Sequence, residues 1–131
     1  MAISLEKINL GDDLVICRNE LGHWQLEGAA FSFPLTDSSD FKRVISLLET
    51  PIDNARLELG SDFPYICVME VGLRHDSDYW IGLALSWIAG ASIQEAYKLI
   101  EDLNTLSVDK AVSQKNRHLA KKELKRLLGE D

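Results

Sequence analysis

Four consecutive residues, His75-Asp76-Ser77-Asp78, hold an imidazole, a hydroxyl and two carboxylates, the densest set of reactive groups in the chain. Such a set could ligate a metal or pass a proton. Ligation from a helix needs partners at i+3 or i+4. From His75, Asp78 stands at i+3 and Tyr79 at i+4, and nothing beyond them ligates. A helix start calls for the same residue types, because Asp and Ser satisfy free backbone donors and acids complement the positive end of the helix dipole. The spacing therefore predicts caps for a helix opening near Asp78 in preference to a catalytic centre. An enzyme reading survives only if the fold brings His118 to His75 and Asp76.

Other groups argue less for chemistry. Asp12-Asp13 with Glu6 and Glu20 would act as acid and base only where an environment splits their pKa values, and a loop beside a hairpin predicts solvation instead. Gly90-Ala91-Ser92 lacks the glycine-rich run and the lysine of a phosphate loop. Cys17 and Cys67 stand fifty residues apart with no further Cys or His at ligand spacing, so they read as small buried hydrophobes in a reducing compartment, with a single disulfide between them as the alternative. No nucleophile elbow, metalloprotease helix, dinucleotide fingerprint or zinc spacing is present, and no motif asks for a metal or a cofactor.

The C-terminal segment carries a different signal. At about 100° per residue, Lys110, Lys115, Arg117, His118, Lys121, Lys122, Lys125 and Arg126 fall within an arc of roughly 180°, opposite Leu119, Ala120, Leu124 and Leu127. A basic helix face can hold phosphates of nucleic acid or an anionic surface. No aromatic is interleaved, so bases have nothing to stack on. The plain alternative is a solvated amphipathic helix whose basic end complements its own dipole, with Arg117 reaching back to an acidic body. That body is real: the net charge of −7 divides into −11 over residues 1–109 and +4 over residues 110–131. An acidic body repels nucleic acid and anionic membrane and steers basic partners towards itself.

These groups need elements to carry them, and the pattern supplies them. Leu14 to Glu27 reads as a hairpin turning at Asn19-Glu20-Leu21-Gly22, and Ala29 to Leu35 as a third strand stopped by Pro34. Thr36-Asp37-Ser38-Ser39-Asp40 caps a helix with Phe41, Val44, Ile45 and Leu48 on one face, ended by Pro51. Ala55 to Leu59 alternates like a strand, is also compatible with a loop, and leaves strand or helix open. Tyr65 to Arg74 suits a buried helix capped by Ser61 and Asp62, with a strand over 65–71 as the alternative. Trp80, Leu83, Ala84, Trp87 and Ile88 mark a central helix closed by Gly90. Ser92 and Glu95 form a capping box for the next helix, which breaks at Asn104-Thr105. A last helix begins between Val108 and Ser113 and stops at Gly129.

Tyr79-Trp80-Ile81-Gly82-Leu83-Ala84-Leu85-Ser86-Trp87, followed by Ser113-Gln114-Lys115-Asn116-Arg117-His118, resembles a pattern of small uncharacterised bacterial helical proteins with HEAT-like packing. It spans about the last half of the chain. The resemblance implies a helical fold and a bacterial cytoplasmic setting, and it carries no activity and no site residue.

The expectation is one domain over residues 1–131, mainly α, with about five antiparallel helices and a small N-terminal hairpin or three-stranded sheet; the alternative is α+β with residues 65–71 as a further strand. The 46% hydrophobic content supports a core. The N-terminal residues show no basic region followed by an apolar stretch, and the longest uncharged run, Tyr79 to Gln94, is short and polar for a membrane span. The expected setting is cytoplasmic. The expected role is a protein-interaction domain, in its most concrete form an immunity or antitoxin-like inhibitor that binds a basic partner. The candidate partner-binding residues are Arg117, His118, Lys121, Lys122 and Lys125 on the last helix, and His75, Asp76 and Asp78.

Overall fold

A computed structural model describes residues 6–129. The first five residues, part of the segment read for a leader, and Glu130 and Asp131, counted in the basic tail's charge, lie outside the described residues. The architecture is α+β, 58% helical, with a four-stranded antiparallel sheet leading into six α-helices among the described residues.

The sheet is a meander in the order β1 (Lys7–Gly11), β2 (Leu14–Arg18), β3 (Trp24–Glu27) and β4 (Ser32–Pro34). The expected hairpin is β2–β3, in register from Val15 opposite Glu27 to Arg18 opposite Trp24. Its turn is held by the Asn19 side chain, which accepts from the N–H groups of Leu21 (3.0 Å) and His23 (2.9 Å). The third expected strand is β4, and a further strand, β1, precedes them all. β1 joins β2 through a two-residue turn in which Asp12 and Asp13 both take positive φ, 51° and 61°. That is the turn geometry whose twist matches paired strands. Ile8, Ile16, Trp24 and Leu26 are buried on the inner face, while Lys7, Val15, Cys17, Gln25 and Glu27 lie on the outer one.

The helix expected after Asp37 is a 3-10 helix, Ser38–Glu49, bent at Val44. Its buried residues, Phe41, Val44, Leu47 and Leu48, recur mostly at a spacing of three, which suits three residues per turn better than 3.6. The Asp40 carboxylate reaches back to the N–H groups of Thr36 and Asp37 (3.0 and 2.9 Å), and these bonds hold it below the usual carboxylate range. Residues 55–59 belong to a helix, α1 (Ile52–Leu59): Ile52, Ala55 and Leu59 are buried, and Leu57, which strand alternation would have placed beside them, is 85% exposed.

α2 (Tyr65–Leu73) settles residues 65–71 as helix, so the strand alternative is not realised. Its expected caps are elsewhere. Asp62 pairs with Arg18 (3.2 Å), and Pro64, which has no N–H to satisfy, occupies the cap position without a side-chain bond. α3 (Asp78–Ala89) buries Ile81, Ala84, Leu85, Trp87 and Ile88. α2 and α3 cross closely at Gly72, where a Cβ would stand 2.7 Å from the Ala84 Cβ and 2.6 Å from Leu48 Cδ1.

Ser92 accepts from Glu95 N–H (3.1 Å) to start the one-turn α4 (Ile93–Ala96), which passes through a 3-10 turn, Tyr97–Leu99, into α5 (Ile100–Val108). The break expected at Asn104-Thr105 does not occur. Thr105 Oγ1 and Ser107 Oγ donate back to the carbonyls of Glu101 (3.1 Å) and Asn104 (2.7 Å), and Leu103 and Leu106 are buried, so packing carries the helix through these polar residues. α6 (Gln114–Leu128) starts at Ser113, whose hydroxyl accepts from Asn116 N–H (3.2 Å). It ends at Gly129, in the left-handed region at φ 72°.

An edge-to-face aromatic chain joins the two layers. Trp24 meets Phe63 at 5.1 Å between centroids, Phe63 meets Phe41 and Tyr65, and Tyr65 meets Trp87 at 6.0 Å. Trp87 donates from Nε1 to Thr50 O (2.9 Å), so the buried indole is satisfied.

Candidate functional site

The His75-Asp76-Ser77-Asp78 corner connects α2 to α3, and its groups are occupied differently from the expectation. Ser77 stands at the cap position of α3, but its hydroxyl makes no cap bond. The backbone N–H of Ser77 donates to His75 Nδ1 (2.9 Å), which places the proton of the neutral imidazole on Nε2. The Asp78 carboxylate caps across the molecule: it accepts from Ser113 N–H (3.1 Å), while Asn116 Nδ2 donates to the Asp78 carbonyl (3.0 Å). The backbone bond from Ser113 is the main reason the Asp78 carboxyl lies below its ordinary range. Asp78 is thus a fastener between the starts of α3 and α6.

Two depressions flank this corner, of about 570 Å³ and 300 Å³, and share Arg74, His75 and Asp76. Arg74 is bound to Asp102 (2.9 Å) and Glu70 (3.2 Å), and the bond to Asp102 holds its guanidinium firmly charged. His118 borders neither depression. The grouping of His75, Asp76 and His118 that an acid–base pocket required is therefore not assembled there. Among the described residues, no cluster of three or more His, Cys, Asp or Glu side chains could hold a metal ion. Both thiols are free; burial, and then Glu27 for Cys17 and Glu70 for Cys67, push them up, away from the thiolate form that reacts.

α6 presents a narrower basic face than its sequence promised. Lys110 lies in the turn before the helix. Arg126 is turned inward, donating to Glu123 (2.8 Å), Ile88 O (2.7 Å) and Ala91 O (3.1 Å), where it caps the end of α3. Arg117 is half-buried and makes no ion pair among the described residues; its Nε is enclosed without a hydrogen-bond partner, so the expected reach to an acidic body is not made. What remains exposed is Lys115, His118, Lys121, Lys122 and Lys125. They occupy an arc of about 120° over a length of about 15 Å.

The surface that the sequence reading missed is the outer face of the sheet. A shallow concavity of about 1130 Å³ runs over it, bordered by Val15, Cys17, Glu20, Gln25 and Glu27. It shares Lys7 and Val15 with a groove of about 480 Å³ that continues past Asn54 and Glu58 of α1. Asp12 and Asp13 stand at one end of the sheet and Glu20 at the other, all exposed. The alternation of Ile8 and Leu10 ahead of Asp12-Asp13 was the signal that could have revealed β1, and with it this face.

No protein-family model, no curated protein and no solved structure matches the chain in sequence or fold comparison.

Proposed function

We propose that this protein is an interaction domain that binds a basic protein partner on the outer face of its sheet, and that it does so in the cytoplasm as an immunity or antitoxin-like inhibitor. One observation carries the reading: the distribution of charge left free by the fold. Within residues 6–109 the cations of Arg18, Arg56 and Arg74 are taken up by internal ion pairs, leaving Lys7, Lys42, Arg43 and Lys98 outside them. Asp12, Asp13, Glu20, Glu27 and Glu58 stand outside ion pairs along the sheet and its continuation over α1. A basic partner approaching this side meets these five carboxylates against the one cation, Lys7, that stands outside ion pairs on the same face, and that excess raises the association rate more than it deepens the complex. No helix among the described residues is long and apolar enough to cross a membrane.

The test is retrieval of partners from the native host, followed by association kinetics. The retrieved partner should be basic. Glu20→Lys with Glu27→Lys should slow its association tenfold or more at low salt and flatten the salt dependence, with dissociation much less affected. Failure to retrieve a basic partner, or an association rate indifferent to both reversals, removes the proposal.

A further inference from the structure

The lysine stripe of α6 is unexplained by a face that binds basic proteins, and it carries its own inference. We propose that Lys115, Lys121, Lys122 and Lys125, with His118 among them, form a docking strip for the phosphate backbone of double-stranded nucleic acid, without base readout. All five side chains are exposed, and none enters an ion pair among the described residues. The stripe is straight, because α6 is a single uninterrupted helix of 15 residues. A duplex carries one charge per about 1.7 Å of axis, so a strip of about 15 Å lies over about nine of them.

The same geometry argues against other polyanions. A helix that lies on a membrane buries an apolar face among the lipids. The apolar face of α6 is spent on the core, with Ala120, Leu124 and Leu127 buried, and the large apolar side chain it leaves exposed, Leu128 in the last turn beside the stripe, is a single residue and not a face. Single strands are held by aromatic platforms, and α6 has none. The acidic body limits approach to this one face. The complex is accordingly weak, oriented and strongly dependent on salt.

The experiment is fluorescence anisotropy of a labelled duplex of about 20 base pairs with the whole protein, across a salt series, with vesicles of phosphatidylserine and phosphatidylcholine as the second probe. Four lysine–phosphate contacts give a log–log salt slope of about −3.6, so affinity should fall about a hundredfold between 50 and 200 mM salt. Lys121→Glu with Lys122→Glu and Lys125→Glu should abolish binding. The milder set, Lys121→Gln with Lys122→Gln and Lys125→Gln, should leave a slope near −1. Both sets lie on exposed positions, and unchanged circular dichroism confirms that the fold is intact. Lys7→Glu with Lys42→Glu and Lys98→Glu, off the stripe, should leave duplex binding in place. Absence of duplex binding at 50 mM salt overturns the proposal, as does equal loss in the off-stripe set or tighter binding to the vesicles than to the duplex. No protein partner enters this assay, so its outcome is independent of the reading of the sheet face.

Discussion

Arg126 is the α6 cation that the fold consumes, and replacing it should cost stability in a way that can be apportioned. Its guanidinium spans Glu123 Oε1 (2.8 Å), Ile88 O (2.7 Å) and Ala91 O (3.1 Å), tying the last turn of α6 to the end of α3. The Glu123 side chain is 7% exposed and that of Arg126 33%. Arg126→Ala strips the nearly buried carboxylate of its partner and frees two carbonyls. Breaking a fully buried pair costs about 3–5 kcal/mol, and the partial access of water to Arg126 lowers the expected cost to about 2–3 kcal/mol. For a chain of this size that is a fall of roughly 6–12 °C in melting temperature. Glu123→Gln should cost less, because Arg126 keeps both carbonyls. The two changes together should cost less than the sum of each alone by about 1 kcal/mol, since each removes the same contact. Arg126→Lys should recover under half of the loss, because one ammonium cannot fork across three acceptors. Thermal and urea unfolding of the four variants give the cycle. An Arg126→Ala protein within about 0.5 kcal/mol of the parent, or strict additivity, would refute the assignment of Arg126 as the clasp between α3 and α6.

Two further perturbations test the packing and the turn. Gly72→Ala places a methyl 2.7 Å from the Ala84 Cβ and 3.2 Å from Trp80 O, neither of which can swing aside, so overpacking of about 1–3 kcal/mol should exceed the helix-propensity gain of about 1 kcal/mol; urea unfolding should show a lower midpoint, and the further change Ala84→Gly should return part of it. Asp12→Asn with Asp13→Gly puts residues suited to positive φ into the β1–β2 turn and should raise stability by about 0.5–1 kcal/mol, read from the same unfolding curves, with a neutral or negative result counting against the turn as described.

Where side-chain periodicity decided an element, the sequence was enough to read it. α3 was legible because Trp80 to Ile88 repeats at helical spacing over more than two turns, and the β2–β3 hairpin because Asn19 and Gly22 sit between apolar runs. Where tertiary packing decided, local pattern misled. Leu57 alternates with Ala55 and Leu59, yet it ends up exposed because burial of Ile52, Ala55 and Leu59 selects a helix. Asn104 and Thr105 look like a break, but the core holds Leu103 and Leu106 on either side of them. At the candidate sites the residue types were right and their roles were not. Asp78 was read as a cap for its own helix, and it serves the start of α6, 35 residues away, a pairing no local pattern encodes. Arg126 was read as part of the basic face, and its direction depends on where α3 ends in space.

The use of cations in the fold explains why stability and binding should separate. Each ion pair among the described residues is made by an arginine, Arg18, Arg56, Arg74 or Arg126, and none by a lysine. All four of these arginines also bind more than one group: Arg18 meets Glu6, Asp62 and the Trp24 ring, Arg56 meets Glu95 and the Tyr65 ring, Arg74 meets Glu70 and Asp102, and Arg126 meets a carboxylate and two carbonyls. A planar fork of five donors suits such shared bonds, and a compact, strongly hydrated ammonium does not. The lysines are consequently left on the surface, where single ion pairs would stabilise little in any case. Arginine changes should therefore register in unfolding and lysine changes in binding. A lysine reversal on α6 that lowered the melting temperature as far as Arg126→Ala does would show that the stripe is part of the fold and not a surface held free by it.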